Sequence, residues 1–202
     1  MNGGINAQMG KLGTFWGVVA FALMSGIALA APPAAIDDAA VADLAWYSPS
    51  EIAVGAGADD PFQGIERSAE LSGVVRLQPI GDPNSFFFFH PRPEFGVNVD
   101  LQGKTSFAFT GLEWTFFKWH HISLGGDFGG AIHDGRLHKE TPDLLDRKEL
   151  GSRFEFHEGF ILAYQLTKHY GLEMWLDHIS NAGLAKVNQG LETSGLRATL
   201  KF

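Results

Sequence analysis

The chain ends on the stretch Thr193-Ser194-Gly195-Leu196-Arg197-Ala198-Thr199-Leu200-Lys201-Phe202, which decides the fold. The even-numbered side chains from Leu196 onward are apolar, whereas the odd-numbered ones are small, polar or cationic. Successive side chains of a β-strand point to opposite faces, so the alternation predicts a strand with one apolar and one polar face.

The same period of two recurs along the chain. Residues 95–102 and 153–165 alternate clearly, and less regular runs occupy residues 51–58, 68–78, 105–117, 121–132 and 170–180. Segments rich in Gly, Asp, Asn and Pro separate these runs and are typical of turns. Together with the final stretch, the runs predict an all-β fold of eight antiparallel strands.

The composition excludes several classes of protein. A chain that is 45% apolar and only 19% charged is not intrinsically disordered. A net charge of −8 without a basic cluster argues against a nucleic-acid partner. Because the chain contains no cysteine, thiol catalysis, cysteine-bound zinc and disulfide bonds are excluded.

The first thirty residues predict an export signal. They carry one charge, Lys11, followed by an apolar run and the small-residue sequence Ala28-Leu29-Ala30. These features are typical of a secretory signal cleaved near Ala30, although a single transmembrane anchor is an alternative. We therefore predict a signal peptide over residues 1–30 and one barrel domain over residues 31–202.

Periodicity alone does not say which face of the sheet meets water. A soluble sandwich or lipocalin-like barrel would turn its apolar face inward, whereas a membrane barrel turns it outward. The export signal, strands of about ten residues, and aromatic residues near strand ends favour the membrane. These aromatic residues are Trp114, Trp119, Trp175 and the final Phe202. The prediction is an eight-stranded antiparallel transmembrane β-barrel of the Gram-negative outer membrane.

The lengths of the connections agree with this orientation. Short turns near residues 118–120 and 166–169 would face the periplasm, and the polar segment 133–150 would form an outer loop. Basic residues of that segment are either phosphate ligands or ordinary solvated side chains: Arg136, Lys139, Arg147 and Lys148. The connection 80–93, which contains Phe86 to Phe89, is too long for a tight turn and is interpreted as aromatic-belt material or part of the third strand.

Three reactive side chains converge at the seventh hairpin. The apolar, lipid-facing series of the seventh strand, which includes Met174 and Leu176, continues into His178 and Ser180. By the same parity, Glu192 begins the lipid-facing series of the eighth strand. Antiparallel pairing is expected to bring Ser180 near Glu192, with His178 one pleat below. A serine, a base and an acid that orients the base are what acyl transfer from a hydroxyl requires.

The closing part of the chain carries a family resemblance. The residues concerned are His178-Ile179-Ser180-Asn181-Ala182, Asn188-x-Gly190, Glu192 and the strand from Leu196 to Phe202. In residue type and spacing they resemble the lipid A 3-O-deacylase (PagL) family. The resemblance implies an outer-membrane esterase with an outward-facing Ser180-His178-Glu192 triad. It also implies that Asn188 contributes to the oxyanion hole, together with a backbone N–H of the turn 181–183.

Further residues are candidates for substrate binding. The family uses an acidic residue to hold the hydroxyl of the acyl chain, and Glu158 pairs with His178 if the intervening turn is centred near Lys168. Met174 and Leu176 would lie along the acyl chain, and Asn181 would contact the substrate. Asn181 and Asn188 are alternatively simple turn residues, because asparagine tolerates left-handed backbone. The histidines lack ligand spacing, so neither a metal nor another cofactor is predicted.

Three functions follow from this sequence. The first, which the resemblance implies, is a carboxylic ester hydrolase that removes the 3-O-linked hydroxyacyl chain of lipid A in lipopolysaccharide, with catalysis by Ser180, His178 and Glu192. The second is a structural outer-membrane barrel without catalysis. The third is a broader acyl-lipid esterase or phospholipase. A monomer is favoured, and the partner in every case is the outer membrane and its lipids.

Overall fold

The computed structural model describes residues 50–82, 86–138 and 146–202. The predicted signal peptide, residues 1–30, lies outside these ranges and stays a prediction. Within the described ranges, no helix has the length and hydropathy needed to cross a membrane.

Eight strands form a closed antiparallel barrel. Each strand pairs with its neighbours in sequence, and β1 pairs with β8 to close the sheet. This confirms the predicted fold class. The strands are β1 (Glu51–Asp59), β2 (Ser68–Arg76), β3 (Arg92–Asp100), β4 (Phe107–Trp119), β5 (Ile122–His133), β6 (Phe154–Gln165), β7 (Tyr170–Ser180) and β8 (Leu191–Lys201).

The barrel is apolar outside and polar inside. In β8, Leu196 is 65% exposed on the outer wall, whereas the adjacent Arg197 is 2% exposed in the lumen. The same alternation leaves large apolar side chains exposed on the walls of other strands, including Val54, Leu71, Phe95, Val97, Phe128 and Met174. A soluble barrel would have the opposite arrangement, so this wall is suited to contact with lipid.

Ion pairs fill the lumen. Arg76 Nη1 lies 2.7 Å from both Glu51 Oε1 and Glu173 Oε2, and Arg197 Nη1 lies 3.1 Å from Glu173 Oε1. Arg197 Nη2 lies 3.4 Å from Asp177 Oδ2. Buried charges are costly unless they are paired, and these carboxylates surround the two guanidinium groups. The interior of the barrel is therefore packed with side chains at this level.

Trp175 was expected among the aromatic residues at the strand ends, but it lies in the lumen. It is fully buried, and the guanidinium carbon of Arg197 lies 4.0 Å from the centre of its ring. A Cβ atom on Gly195 would lie 2.3 Å from Trp175 Cη2, so the indole occupies the space that this glycine leaves open. The odd number of Trp175 places it on the same face as Glu173 and Asp177, which explains the correction.

The two ends of the barrel differ in their connections. One end carries the tight turns 120–121 and 166–169, as expected for the inner side, and the loop 77–91. The other end carries the connections 60–67, 101–106, 134–153 and 181–190. We call these the inner and the outer end.

The segment with four consecutive phenylalanines forms no part of β3. Phe87–Phe89 is a single 3-10 turn, and β3 begins only at Arg92. The Phe88 ring stacks on Trp114 with centroids 5.7 Å apart, and Trp114 Nε1 donates a hydrogen bond to Phe88 O at 3.1 Å. The segment thus packs against the outer wall of β4 near the inner end. Of the two interpretations of this segment, aromatic-belt material fits this position.

Candidate active site

The β7–β8 ladder brings two predicted site residues face to face. His178 of β7 is registered directly with Glu192 of β8, and both side chains point to the outer wall. Pairing was expected to bring Ser180 near Glu192, with His178 one pleat below; instead His178 faces Glu192, and Ser180 lies one pleat further outward, about 7 Å along the strand. On the outer wall, Ser180 and His178 therefore follow each other along β7, and Glu192 lies beside His178 on β8.

His178 and Glu192 form a close pair. His178 Nδ1 lies 3.3 Å from Glu192 Oε1, and the side chains are 17% and 5% exposed. A carboxylate at Nδ1 orients the imidazole and leaves Nε2 as the nitrogen that can exchange a proton with a third group. This geometry fits a base held by an acid.

Ser180 ends β7 where the chain enters the outer connection 181–190. It is half-buried and registered with Phe156 of β6. Ser180 is thus the last residue of the strand, two residues beyond His178 on the same face, and the outer connection 181–190 begins directly after it.

The side chain of Asn181 organises the outer connection. Its Nδ2 donates to Leu150 O at 2.6 Å and to Val187 O at 2.7 Å, and its Oδ1 accepts from Gly183 N at 2.9 Å. These bonds commit both ends of the amide to the protein. They fit the alternative of a turn residue and differ from the substrate contact that was predicted for Asn181.

Asn188 is fixed by one end of its amide. Its Oδ1 accepts a hydrogen bond from Asn181 N at 3.1 Å. The other branch of the amide, Nδ2, carries the two donor hydrogens. Asn188 therefore combines an anchored carbonyl with a donor group, which is the property an oxyanion ligand needs.

Gly190 gives His178 the room it occupies. A Cβ atom at this position would lie 2.8 Å from His178 Cε1 and 3.4 Å from Nε2. Its backbone φ of +65° is also in the left-handed region that favours glycine. Both the space and the backbone conformation explain why glycine stands between Asn188 and Glu192.

An apolar strip continues from His178 toward the inner end. Met174 and Leu172 are exposed on the outer wall, and Met174 is registered with Leu162 of β6 and Leu196 of β8. Leu176 faces the same way. Glu158 of β6 is registered directly with His178, as the sequence predicted.

The sequence left two interpretations of Lys148: a phosphate ligand or an ordinary solvated side chain. The structure contradicts both, because the side chain is buried and does not reach solvent. Its Nζ is fully buried, 2.7 Å from Glu192 Oε2 and 2.8 Å from Asp60 Oδ1. Two other basic residues of this connection were considered as phosphate ligands. Arg147 donates a hydrogen bond to Lys104 O, and Lys139 lies outside the described residues. Sequence reasoning missed Lys148 and Asp60 as neighbours of the site, because they come from connections far apart in the chain.

A second set of potential ligands lies in the lumen. Within the described residues, donor atoms of Glu94, Asp127 and His157 lie within 4.8 Å of one another. The His157 ring, however, is flanked by carboxylates: Nδ1 lies 2.8 Å from Asp127 Oδ1 and Nε2 lies 3.7 Å from Asp177 Oδ1. Because these residues come from different strands, sequence spacing gave no signal for them. The expectation of a metal-free and cofactor-free protein stays a prediction.

Comparison of the chain with models of known protein families identifies a match to one family. The family model described as lipid A 3-O-deacylase (PagL) matches residues 89–201. No curated protein matches the chain. The crystal structure of the outer membrane enzyme PagL is similar with a TM-score of 0.58 and 14% identity, over 75% of this chain and 99% of that chain. The structure of the Yersinia pestis outer membrane protein Ail in a phospholipid bilayer nanodisc has a TM-score of 0.42 and 13% identity, over 77% and 99%.

Proposed function

The chain belongs to the lipid A 3-O-deacylase (PagL) family, whose model covers more than half of it, and on this premise we propose that it is an outer-membrane esterase that removes the 3-O-linked hydroxyacyl chain of lipid A. The observation that carries the proposal is the pairing of His178 with Glu192 on the outer wall, beside Ser180.

The reaction proposed is acyl transfer to Ser180, followed by hydrolysis. Ser180 Oγ attacks the ester carbonyl carbon while His178 Nε2 takes the hydroxyl proton, and Glu192 stabilises the imidazolium that forms. Collapse of the tetrahedral anion breaks the bond to the sugar oxygen, which receives the proton from His178. Water activated by His178 then cleaves the acyl-serine, releasing the hydroxy fatty acid and restoring Ser180.

Asn188 is proposed to stabilise the tetrahedral anion. Its Oδ1 is held by Asn181 N, which favours an orientation with Nδ2 available to an oxygen atom. A donor fixed before the reaction stabilises developing charge without reorganisation, which is why such groups contribute strongly to rate.

The outer wall supports the proposed membrane location. Large apolar side chains are exposed around the barrel, while buried polar and charged side chains fill the lumen. The site lies at the outer end, so lipid A of the outer leaflet would reach it laterally. The acyl chain would lie along Leu176, Met174 and Leu172, with Glu158 beside His178 to receive its hydroxyl group.

Mass spectrometry of lipid A tests the proposal. Membranes that contain the wild-type protein should lose one 3-linked hydroxyacyl chain, and membranes with Ser180→Ala should not. Ser194→Ala is the matched control, because Ser194 shares the outward face of β8 but lies two pleats from the predicted nucleophile. Full deacylation by Ser180→Ala contradicts the mechanism.

The same assay separates the other two functions. A protein that leaves both lipid A and phospholipid intact is a structural barrel. A protein that cleaves phospholipid as readily as lipid A is a broader esterase.

A further inference from the structure

Lys148 is a buried cation beside the predicted triad, and neither the triad chemistry nor the family resemblance assigns it a role. It lies in the connection between β5 and β6, and it is fully buried. A buried ammonium group is costly unless anions surround it, so its neighbours indicate what it does. Those neighbours are Asp60 at the end of β1 and Glu192 at the start of β8.

The two oxygens of Glu192 are held by three side chains, those of His178, Gln63 and Lys148. Oε1 faces His178 Nδ1 at 3.3 Å and also accepts from Gln63 Nε2 at 3.1 Å. Oε2 accepts from Lys148 Nζ at 2.7 Å. Because both oxygens are held, the carboxylate cannot rotate freely about its terminal bond, and Oε1 stays directed at the imidazole.

Asp60 anchors the ammonium group in turn. Its Oδ1 lies 2.8 Å from Lys148 Nζ, while its Oδ2 accepts from Glu66 N at 3.2 Å. The backbone N–H of Asp60 also donates to Glu192 O at 2.7 Å. Lys148 is thus held by two carboxylates that the strand pairing of β1 with β8 brings together.

The charges around Glu192 also bear on His178. Asp60, Lys148 and Glu192 together carry a formal charge of −1 on the β8 side of His178, and Glu158 of β6 is registered with His178 on its other side. Glu66 lies on the far side of Lys148, where it accepts the Lys148 backbone N–H. Burial raises the pKa of Glu66.

We propose that Lys148 is a positioning residue for the esterase: it holds Glu192 ionised and aimed at His178, and Asp60 fixes Lys148 in place. The inference rests on the proposed function. Lys148 touches no substrate in this scheme and acts through Glu192 alone.

The test measures kcat and its pH profile for lipid A deacylation by the full-length protein in mixed micelles. Lys148→Met should lower kcat between roughly tenfold and a hundredfold, because the carboxylate loses its fixed orientation. The acid limb should move to higher pH by about one unit or more, since the Glu192–His178 pair loses the cation that holds Glu192 ionised. Lys168→Met removes a lysine from the exposed inner turn and should match wild type.

A double-mutant cycle separates positioning from a general structural role. In the Glu192→Gln background, Lys148→Met should lower kcat by less than about twofold, because the Glu192 carboxylate through which Lys148 acts on His178 is already absent. Lys148→Arg keeps the cation and should keep the wild-type acid limb even if its larger head lowers kcat. Heat-modifiable migration on gels shows that each variant retains its barrel.

The outcomes distinguish this inference from the proposed function. If the wild type releases no hydroxyacyl chain, the proposed function fails. If the wild type is active and Ser180→Ala is not, then an unshifted acid limb in Lys148→Met, or an equal loss of kcat in the Glu192→Gln background, overturns the role of Lys148. If Lys148→Met does not form a barrel, Lys148→Arg decides, and a shifted acid limb in that variant overturns the proposal.

Discussion

His178 Nδ1 and Glu192 Oε1 lie 3.3 Å apart across a single rung of the β7–β8 ladder. The sheet itself therefore sets the register between the predicted base and acid, while Gln63 and Lys148 of the outer connections hold the carboxylate of Glu192. Residues on strands hold a geometry more tightly than residues on loops. Ser180, at the end of β7, adjoins the outer connection 181–190, which also contains Asn188 and the Gly190 that leaves room for the His178 ring.

The first prediction concerns the triad as a unit. Ser180→Ala and His178→Ala should each remove most of the deacylation, and the double variant should be no slower than either alone, because both act in one proton transfer. Glu192→Ala should give a milder loss. The measurement is single-turnover release of the hydroxy fatty acid. Multiplying losses would mean that the two residues act in separate steps.

The second prediction concerns the donor of Asn188. Asn188→Ala should lower kcat by about a hundredfold or more with little change in substrate affinity, because the oxyanion exists only in the transition state. The readout is kcat and, separately, binding of lipid A to the Ser180→Ala background.

Asn188→Asp provides the matched variant for this residue. It keeps an acceptor oxygen for Asn181 N but lacks the donor hydrogens, so it should be as slow as Asn188→Ala. Activity close to wild type in Asn188→Asp would assign this residue to the loop and not to the oxyanion hole.

The third prediction uses two glycines of the same outer connection. Gly190→Ala should lower kcat at least tenfold, because the new methyl group would lie 2.8 Å from His178 Cε1 and displace the ring. Gly183→Ala has a similar left-handed backbone, with φ of +82°, but no atom lies within 4 Å of its Cβ position.

Both substitutions cost about 1–2 kcal/mol of backbone strain, so only the contact with His178 differs between them. The comparison of their kcat values, with thermal stability in detergent as a check on strain, isolates that contact. Equal kcat values in Gly190→Ala and Gly183→Ala would show that a methyl group at position 190 does not disturb the His178 ring, and would contradict this prediction.

The fourth prediction concerns the apolar strip on the outer wall. Met174→Trp and Leu176→Trp should change the length of the acyl chain that is released more than they change the stability of the barrel. The surrounding lipid already provides an apolar environment, so these side chains act on the acyl chain mainly through their shape. Val97→Trp, on the outer wall of β3, is the control and should leave the chain preference unchanged. Mass spectrometry of fatty acids released from mixed lipopolysaccharides gives the preference.

Labelling checks the same face directly. A lipid-soluble photo-crosslinker should react with a cysteine introduced at Met174, and a water-soluble one should not. Reaction with the water-soluble reagent alone would mean that this position faces an aqueous space and that lateral access is wrong.

Period-two alternation made most of the fold predictable. In β8 every second residue is apolar, and the structure exposes Leu196 while it buries Arg197. The alternation held where residue type misled: Trp175 was expected among the aromatic residues at the strand ends, although its odd number already placed it in the lumen. Residue type was the weaker signal because the barrel interior also accepts aromatic rings, among them Trp175 beside Arg197 and the buried Phe107 and Phe109.

The neighbourhood of His178 and Glu192 was predictable because the two residues lie on adjacent strands joined by one connection. The order of the predicted site residues was not, since a register cannot be derived from alternation without the loop geometry, and the structure pairs His178 rather than Ser180 with Glu192. Lys148 and Asp60 were beyond prediction. They lie 44 and 132 residues from Glu192 in sequence, and only barrel closure between β1 and β8 brings Asp60 to this site.

The outward direction of His178 has a kinetic consequence. In the proposed reaction the membrane forms the other half of the active site, so encounters occur by diffusion within a leaflet and the relevant substrate concentration is a number of molecules per unit area. Doubling the aqueous volume should leave the initial rate per vesicle unchanged. Adding an inert phospholipid at constant lipid A should slow it, as surface dilution does for any reaction confined to two dimensions.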